Sequence, residues 1–201
     1  MLKMLYRSWP DLRGDVCIIY ANVRPDVNGY DNVSCFGIGG DDGWIKNMTV
    51  YLSSLDHDDT ILLLLDDYLL VDVDTALVRL AERQFVNDSV DAVRLVPTPG
   101  PTLPWGGVVG EIDKKSPYSI SLQATLWRPS GLLRILKHAI DDGLRSPWDL
   151  EIGGSRRLAS WRDVGHILGL KKGAVGYINY YRNGRVDPKA AAVLESYIGG
   201  K

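Results

Sequence analysis

The 201-residue sequence has only two cysteines, Cys17 and Cys35, three histidines and two phenylalanines. Two thiols without metal-ligand spacing exclude a disulfide framework, and His57, His138 and His166 are too scattered for a zinc site. The cysteines are expected as buried thiols in a reducing, cytoplasmic setting. No apolar stretch approaches the roughly 18 residues needed to cross a bilayer. The aliphatic run 61–65 breaks at once into Asp66 and Asp67. No basic segment followed by an apolar core opens the chain, so a secretion signal is not expected. No serine stands in a Gly-x-Ser-x-Gly elbow, and the glycines at 37, 39 and 40 lack the spacing of a dinucleotide fingerprint. There is no internal repeat and no linker.

What is present is ordinary globular material, 45% hydrophobic and 24% charged, and enough of it to bury one core. Its aromatics are skewed: six Trp and ten Tyr, rings that pair an apolar face with a polar handle and suit stacking on sugars or bases. The net charge of −2 conceals an imbalance. From Gly153 onward there are nine Lys or Arg against three Asp or Glu, with fourteen against twenty-two before it. A basic tail on an acidic body points either to an anionic partner or to solvated surface charge.

The hydrophobic pattern predicts an α/β domain. Residues 15–20 and 33–38 are short β-branched runs ending in polar or glycine-rich loops, read as strands. Trp44, Met48, Tyr51, Leu52 and Leu55 fall on one helical face, with Asp41 or Asp42 placed as N-cap. The continuous run 61–65 is expected as a central strand covered on both faces. An amphipathic helix is predicted over 72–83, a strand over 92–96, a long irregular loop over 97–110, a strand over 119–127 and a helix over 131–140. Pro147 suits the start of a helical turn, and a last helix is expected over 188–197. Residues 1–160 are read as one domain, with 161–201 as an extension packed upon it.

Three features carry chemistry. Asp66 and Asp67 follow an all-aliphatic strand, where ligands bind in open α/β sheets. Two adjacent acids repel unless neutralised, and hard oxygen ligands favour Mg²⁺ or Mn²⁺, which bridge to diphosphate oxygens; a capped turn or solvated loop is the alternative. Glu151, in Ser-Pro-Trp-Asp-Leu-Glu, stands beside an apolar ring where desolvation would raise its pKa toward general-base duty. Arg94, at a strand end, could hold a phosphate or sugar hydroxyl, or make a structural ion pair.

The ordered succession Asp41-Asp42-Gly43-Trp44, Leu-Leu-Leu-Asp66-Asp67-Tyr68, Val-Arg94-Leu, Tyr118 to Trp127 and Pro147-Trp148-Asp-Leu-Glu151 resembles a group of small bacterial and phage GT-A-like glycosyltransferases associated with surface-polysaccharide genes. The resemblance covers residues 16 to about 160 and, less specifically, 176–185. It implies a GT-A-like (Rossmann-like) mixed, mostly parallel sheet flanked by helices, with a short C-terminal extension. It further implies a nucleotide-sugar donor, by default a UDP-sugar, with Asn22, Arg24 and Asp41 at the base and ribose. Asp67 would bind Mn²⁺ or Mg²⁺, and Asp66 would lie nearer the ribose or donor sugar. Tyr68 departs from the Asp-x-Asp form of that element and leaves a thinner metal site. Glu151 would deprotonate the acceptor hydroxyl, with inversion, and Gln123, Trp127 and Trp148 would line the sugar or acceptor pocket; core packing is the alternative for Trp127.

The acceptor is left open among saccharide, lipid-linked and nucleic-acid hydroxyls. A rival class is a nucleic-acid-binding module, with 161–197 as a helix-turn-helix, although Asn183-Gly184 is hairpin chemistry. The two combine in a phage transferase acting on modified DNA bases.

Overall fold

The computed structural model describes residues 2–12, 14–20, 24–37, 43–56, 59–65, 68–182 and 185–198. In chain order its elements are α1 (Leu2–Ser8), β1 (Val16–Tyr20), β2 (Val33–Gly37), α2 (Trp44–Leu52), β3 (Ile61–Leu63), β4 (Tyr68–Val73), α3 (Thr75–Glu82), β5 (Val90–Arg94), β6 (Leu103–Gly106), β7 (Val109–Glu111), β8 (Thr125–Trp127) and α4 (Pro129–Asp141). There follow α5 (Pro147–Asp149), a π-helical turn over Leu150–Gly154, α6 (Ser155–Arg157), β9 (His166–Leu170), β10 (Val175–Asn179), β11 (Tyr181–Arg182), β12 (Arg185–Val186) and α7 (Pro188–Ile198).

Six strands form one sheet in the order β3-β8-β5-β9-β7-β6. β8 runs antiparallel to both β3 and β5, and β9 runs parallel to β5. β3, β5 and β9 therefore end on one edge, the edge at which β8 begins. The sheet is α/β and mixed: among the described residues β5–β9 is its one parallel neighbour pair, so "mostly parallel" does not describe its ladders. β1 and β2 pair in parallel as a separate ribbon.

The period-2 alternation of strands divides the core in two. Ala92, Trp127 and Ile167 face a cluster with Ile45, Met48 and Leu52 of α2 and Leu132, Ile135, Leu136 and Ala139 of α4. Val93, Leu126 and Leu168, one residue along, face Val78 and Ala81 of α3 and Leu70 of β4. Helices thus cover both faces. β4 pairs antiparallel with β10, and Leu69 on its other side meets Met4 of α1 and Ala190 of α7.

Several expectations need correction. The aliphatic run 61–65 is covered on both faces, Ile61, Leu63 and Leu65 against one cluster and Leu62 and Leu64 against the other. Yet β3 is the outermost strand of its sheet, because two-sided coverage does not require two hydrogen-bonded neighbours. Segment 97–110 is not wholly irregular: β6 and β7 form a hairpin there, and Pro104 is tolerated because β6 is an edge strand. The predicted strand 119–127 is reduced to Thr125–Trp127, since side chains take the backbone groups before it. α3 begins at Thr75, capped by Asp74 Oδ1 on Leu77 N at 3.1 Å, because residues 68–73 go to β4. The cap position of α2 is Gly43, at φ 96°, a conformation that favours glycine; Asp41 and Asp42 lie outside the described residues.

The segment after 160 is built into the sheet rather than laid upon it, with β9 between β5 and β7. Its described residues hold strands β9 to β12 and the single helix α7, so the helix-turn-helix expected over 161–197 does not form. β11 and β12 pair antiparallel, Tyr181 with Val186 and Arg182 with Arg185, and Asn183-Gly184 between them lie outside the described residues.

Candidate functional site

At the shared edge the last cross-strand row is Leu63–Thr125–Arg94. Two residues past that row on the β3 side the description reaches Leu65, and it resumes at Tyr68, whose N–H donates to the Leu65 carbonyl at 3.2 Å. Asp66 and Asp67 lie between them, outside the described residues, as do Asn22 and Asp41.

Arg94 is 1% exposed. Nη1 donates to the Pro99 carbonyl at 2.8 Å, and Nη2 to the carbonyls of Tyr118 at 2.7 Å and Ser119 at 3.2 Å. Burial pushes the guanidinium down to about 10, opposed by the nearby Glu151 carboxylate, so it stays charged at neutral pH. Its two Nη atoms are therefore occupied by loop carbonyls, a loop-anchoring geometry. Tyr118, which supplies one carbonyl, is a non-glycine residue at φ 54° and 42% exposed, a conformation such residues hold only when their surroundings impose it.

Glu151 is the centre of the site. Ser146 caps the preceding turn through a reciprocal box: its Oγ accepts from Asp149 N at 3.1 Å, while Asp149 Oδ2 accepts from Ser146 N at 3.0 Å. Pro147 opens α5 as expected. The chain then widens into the π-helical turn that carries Glu151, a local irregularity frequent at functional sites. Glu151 Oε1 accepts from Leu122 N at 2.7 Å and Ser121 Oγ at 3.1 Å. Just beyond, Ser155 Oγ accepts from Ile120 N at 3.0 Å and donates to Ile120 O at 3.3 Å. One turn thus clamps the segment 120–122, and among the described residues nothing bonds Glu151 Oε2. Trp148, the ring three residues before Glu151, is 67% exposed.

Gln123 and Thr125 follow on that segment. Gln123 Oε1 and Thr125 Oγ1 are buried without a hydrogen-bond partner, as is Arg94 Nε. Unsatisfied buried polar atoms are rare in folded proteins, and several at one sheet edge call for a ligand or ordered water. Trp127 is 1% exposed and packs in the core, registered opposite Ile61 on one side and Ala92 on the other, its indole N–H unpartnered. Strand position alone could not decide which way that ring points. Arg24 is exposed in the segment between β1 and β2.

The structure therefore brings Glu151, Gln123 and Arg94 to one edge, leaves Trp148 and Arg24 exposed, and buries Trp127. It adds Ser121 and Thr125. Ser121 carried no sequence signal, since a serine that holds a carboxylate looks like any polar residue between apolar ones.

Among the described residues no group of three or more His, Cys, Asp or Glu could hold a metal, and no helix is long and apolar enough to cross a membrane. The chain matches no protein-family model and no curated protein.

Proposed function

We propose that the chain is a glycosyltransferase that moves a sugar from a nucleotide-sugar donor, by default a UDP-sugar, to an acceptor hydroxyl. The observation that carries the reading is the seat of Glu151, held through Oε1 alone at the strand-end edge beside the unpartnered Gln123 Oε1 and Thr125 Oγ1. Buried acceptors without donors suit a ligand rich in hydroxyl groups, and a carboxylate fixed through one oxygen keeps the other for a proton.

In the proposed reaction Glu151 takes the proton of the acceptor hydroxyl. The oxygen bonds to the anomeric carbon with inversion, and the bond to the nucleoside diphosphate breaks. Asp66 and Asp67 belong to the donor side by their place in the chain after β3. A divalent cation on Asp67 and the donor phosphates would neutralise the charge of the leaving diphosphate.

The test measures UDP release from a panel of UDP-sugars, with Mn²⁺ or Mg²⁺, for wild type, Glu151→Gln and Asp67→Asn. Glu151→Gln keeps an oxygen for Leu122 N and Ser121 Oγ but is no base, so turnover should fall roughly 10²- to 10⁴-fold with little change in melting temperature. Wild-type turnover in both variants would remove the reading.

A further inference from the structure

The chain carries six Trp and ten Tyr, and among the described side chains Tyr118 and Trp148 are the two that present an exposed ring. They belong to the two segments that Glu151 joins. Trp148 stands three residues before Glu151, where helical neighbours lie about 5–6 Å apart at Cβ, and Leu150 between them is fully buried in the core. Ile152, four residues after Trp148, is exposed as well and continues the apolar strip past Glu151. Tyr118 stands three residues before Ser121, whose Oγ donates to Glu151 Oε1 at 3.1 Å. Three residues of chain span at most about 11 Å.

The backbone under Tyr118 suits a smaller residue. Ser119 N–H donates to the Ser116 carbonyl at 3.2 Å and closes a four-residue turn with Pro117 second and Tyr118 third. Proline at the second position and a positive φ at the third mark a type II turn, whose third position falls to Gly or Asn. Tyr118 takes it at φ 54°, a conformation that a side chain makes costly. Arg94 Nη2 holds the Tyr118 carbonyl inward at 2.7 Å while the ring stays exposed. Glycine would satisfy the fold at this position. An exposed aromatic side chain kept on strained backbone points instead to a contact with a ligand.

We propose that Tyr118 and Trp148 form a stacking platform for a saccharide acceptor, which lays the apolar faces of its sugar rings on the two aromatic rings and brings one hydroxyl to Glu151 Oε2. The inference rests on the transferase reading for the role of Glu151 and narrows the acceptor to a carbohydrate. Nucleic-acid bases also stack on such rings, but the Glu151 carboxylate accepts from a hydroxyl and repels a phosphate, so a neutral saccharide fits the strip better.

The test is calorimetric titration of the full chain with neutral trisaccharides of glucose, galactose, mannose and N-acetylglucosamine, and with UDP, other nucleoside diphosphates and a thymidine oligonucleotide beside them. The proteins compared are wild type, Trp148→Ala, Trp148→Phe and Tyr118→Gly. Wild type should bind at least one saccharide, Trp148→Ala and Tyr118→Gly should each lose roughly three- to tenfold, and Trp148→Phe should retain part of the affinity. The melting temperature should hold in the Trp148 variants, and in Tyr118→Gly it should hold or rise because glycine adopts the positive φ without strain. A melting temperature that falls in Tyr118→Gly overturns the platform, since the ring would then serve the fold. Equal saccharide affinity in wild type and the variants that lack a ring, or no saccharide binding, overturns the inference, and UDP binding by wild type in that case leaves the transferase reading standing. Ring-dependent saccharide binding without binding of any nucleoside diphosphate supports the inference and removes that reading. Tighter ring-dependent binding of the oligonucleotide than of every saccharide overturns the inference.

Discussion

Replacing Arg94 by methionine keeps a side chain of similar length but removes the guanidinium that ties the end of β5 to two loops. Three charge-assisted bonds, to the carbonyls of Pro99, Tyr118 and Ser119, are lost. Each contributes on the order of 1.5–3 kcal/mol net when the donor is charged. Against this stands the burial that holds the guanidinium well below its ordinary value, at about 10, a penalty on the order of 3 kcal/mol that the variant no longer carries. The balance predicts a loss of about 3 kcal/mol, at the lower end of what breaking a buried charged contact costs. For a chain of this size that corresponds to a melting temperature lower by roughly 6–12 °C. Arg94→Lys should fall between, since an ammonium cannot span all three carbonyls. Thermal unfolding followed by near-ultraviolet circular dichroism, with urea unfolding beside it, reads the effect. A drop under about 1 kcal/mol would refute the argument that Arg94 holds the segment on which Glu151 is seated.

Two further outcomes follow from local geometry. Gly131→Ala puts a methyl 2.6 Å from Cγ of Asp91, a fully buried residue held by Arg134 and by Gly165 N, each at 2.6 Å. The helical gain of about 1 kcal/mol from Ala over Gly is outweighed by overpacking of about 1–3 kcal/mol, so urea unfolding should show net destabilisation; equal or greater stability would mean that Asp91 can yield. The Asp149 carboxyl lies below its ordinary range because Ser146 N–H, the Ser146 hydroxyl and Arg145 N–H bond it. A depressed folded pKa stabilises above the unfolded value of about 3.9 and is lost as pH falls through the lower folded one. The melting gap between wild type and Asp149→Asn should therefore be full from pH 5 upward and close below about pH 4; a gap that widens in acid would contradict the capping geometry.

The α/β class and the helices were legible because periodicity reports burial, and burial is what the pattern of 44–55 or 131–140 encodes. Strand order was not: the run 61–65 announces two covered faces but carries no mark of how many ladders it joins. Residues 119–124 alternate like a strand, yet Glu151, Ser155 and Arg94, up to 35 positions away, take their backbone groups. Such long-range side-chain bonds leave no local trace. Glu151 stands out in the sequence through its Ser-Pro-Trp-Asp-Leu-Glu turn, whereas the burial of Trp127 is settled only by the ring's direction, and Arg94 reads either as a ligand contact or as a structural ion pair because a buried arginine and a binding arginine share one letter. Nothing in His-Ile-Leu-Gly-Leu distinguishes a central strand from an appended one.

The central claim is that this edge holds a nucleoside diphosphate and its sugar. Thermal shift of the full chain against UDP, other nucleoside diphosphates and their sugars, each with and without Mn²⁺, tests it most directly, since a ligand that binds only the native state must raise apparent stability, by about 2.7 kcal/mol at a hundred times its dissociation constant. The account predicts a rise of several degrees with one nucleoside diphosphate and its sugars, larger with Mn²⁺ and absent with the free nucleoside. No shift with any nucleoside diphosphate, with or without the metal, would contradict it.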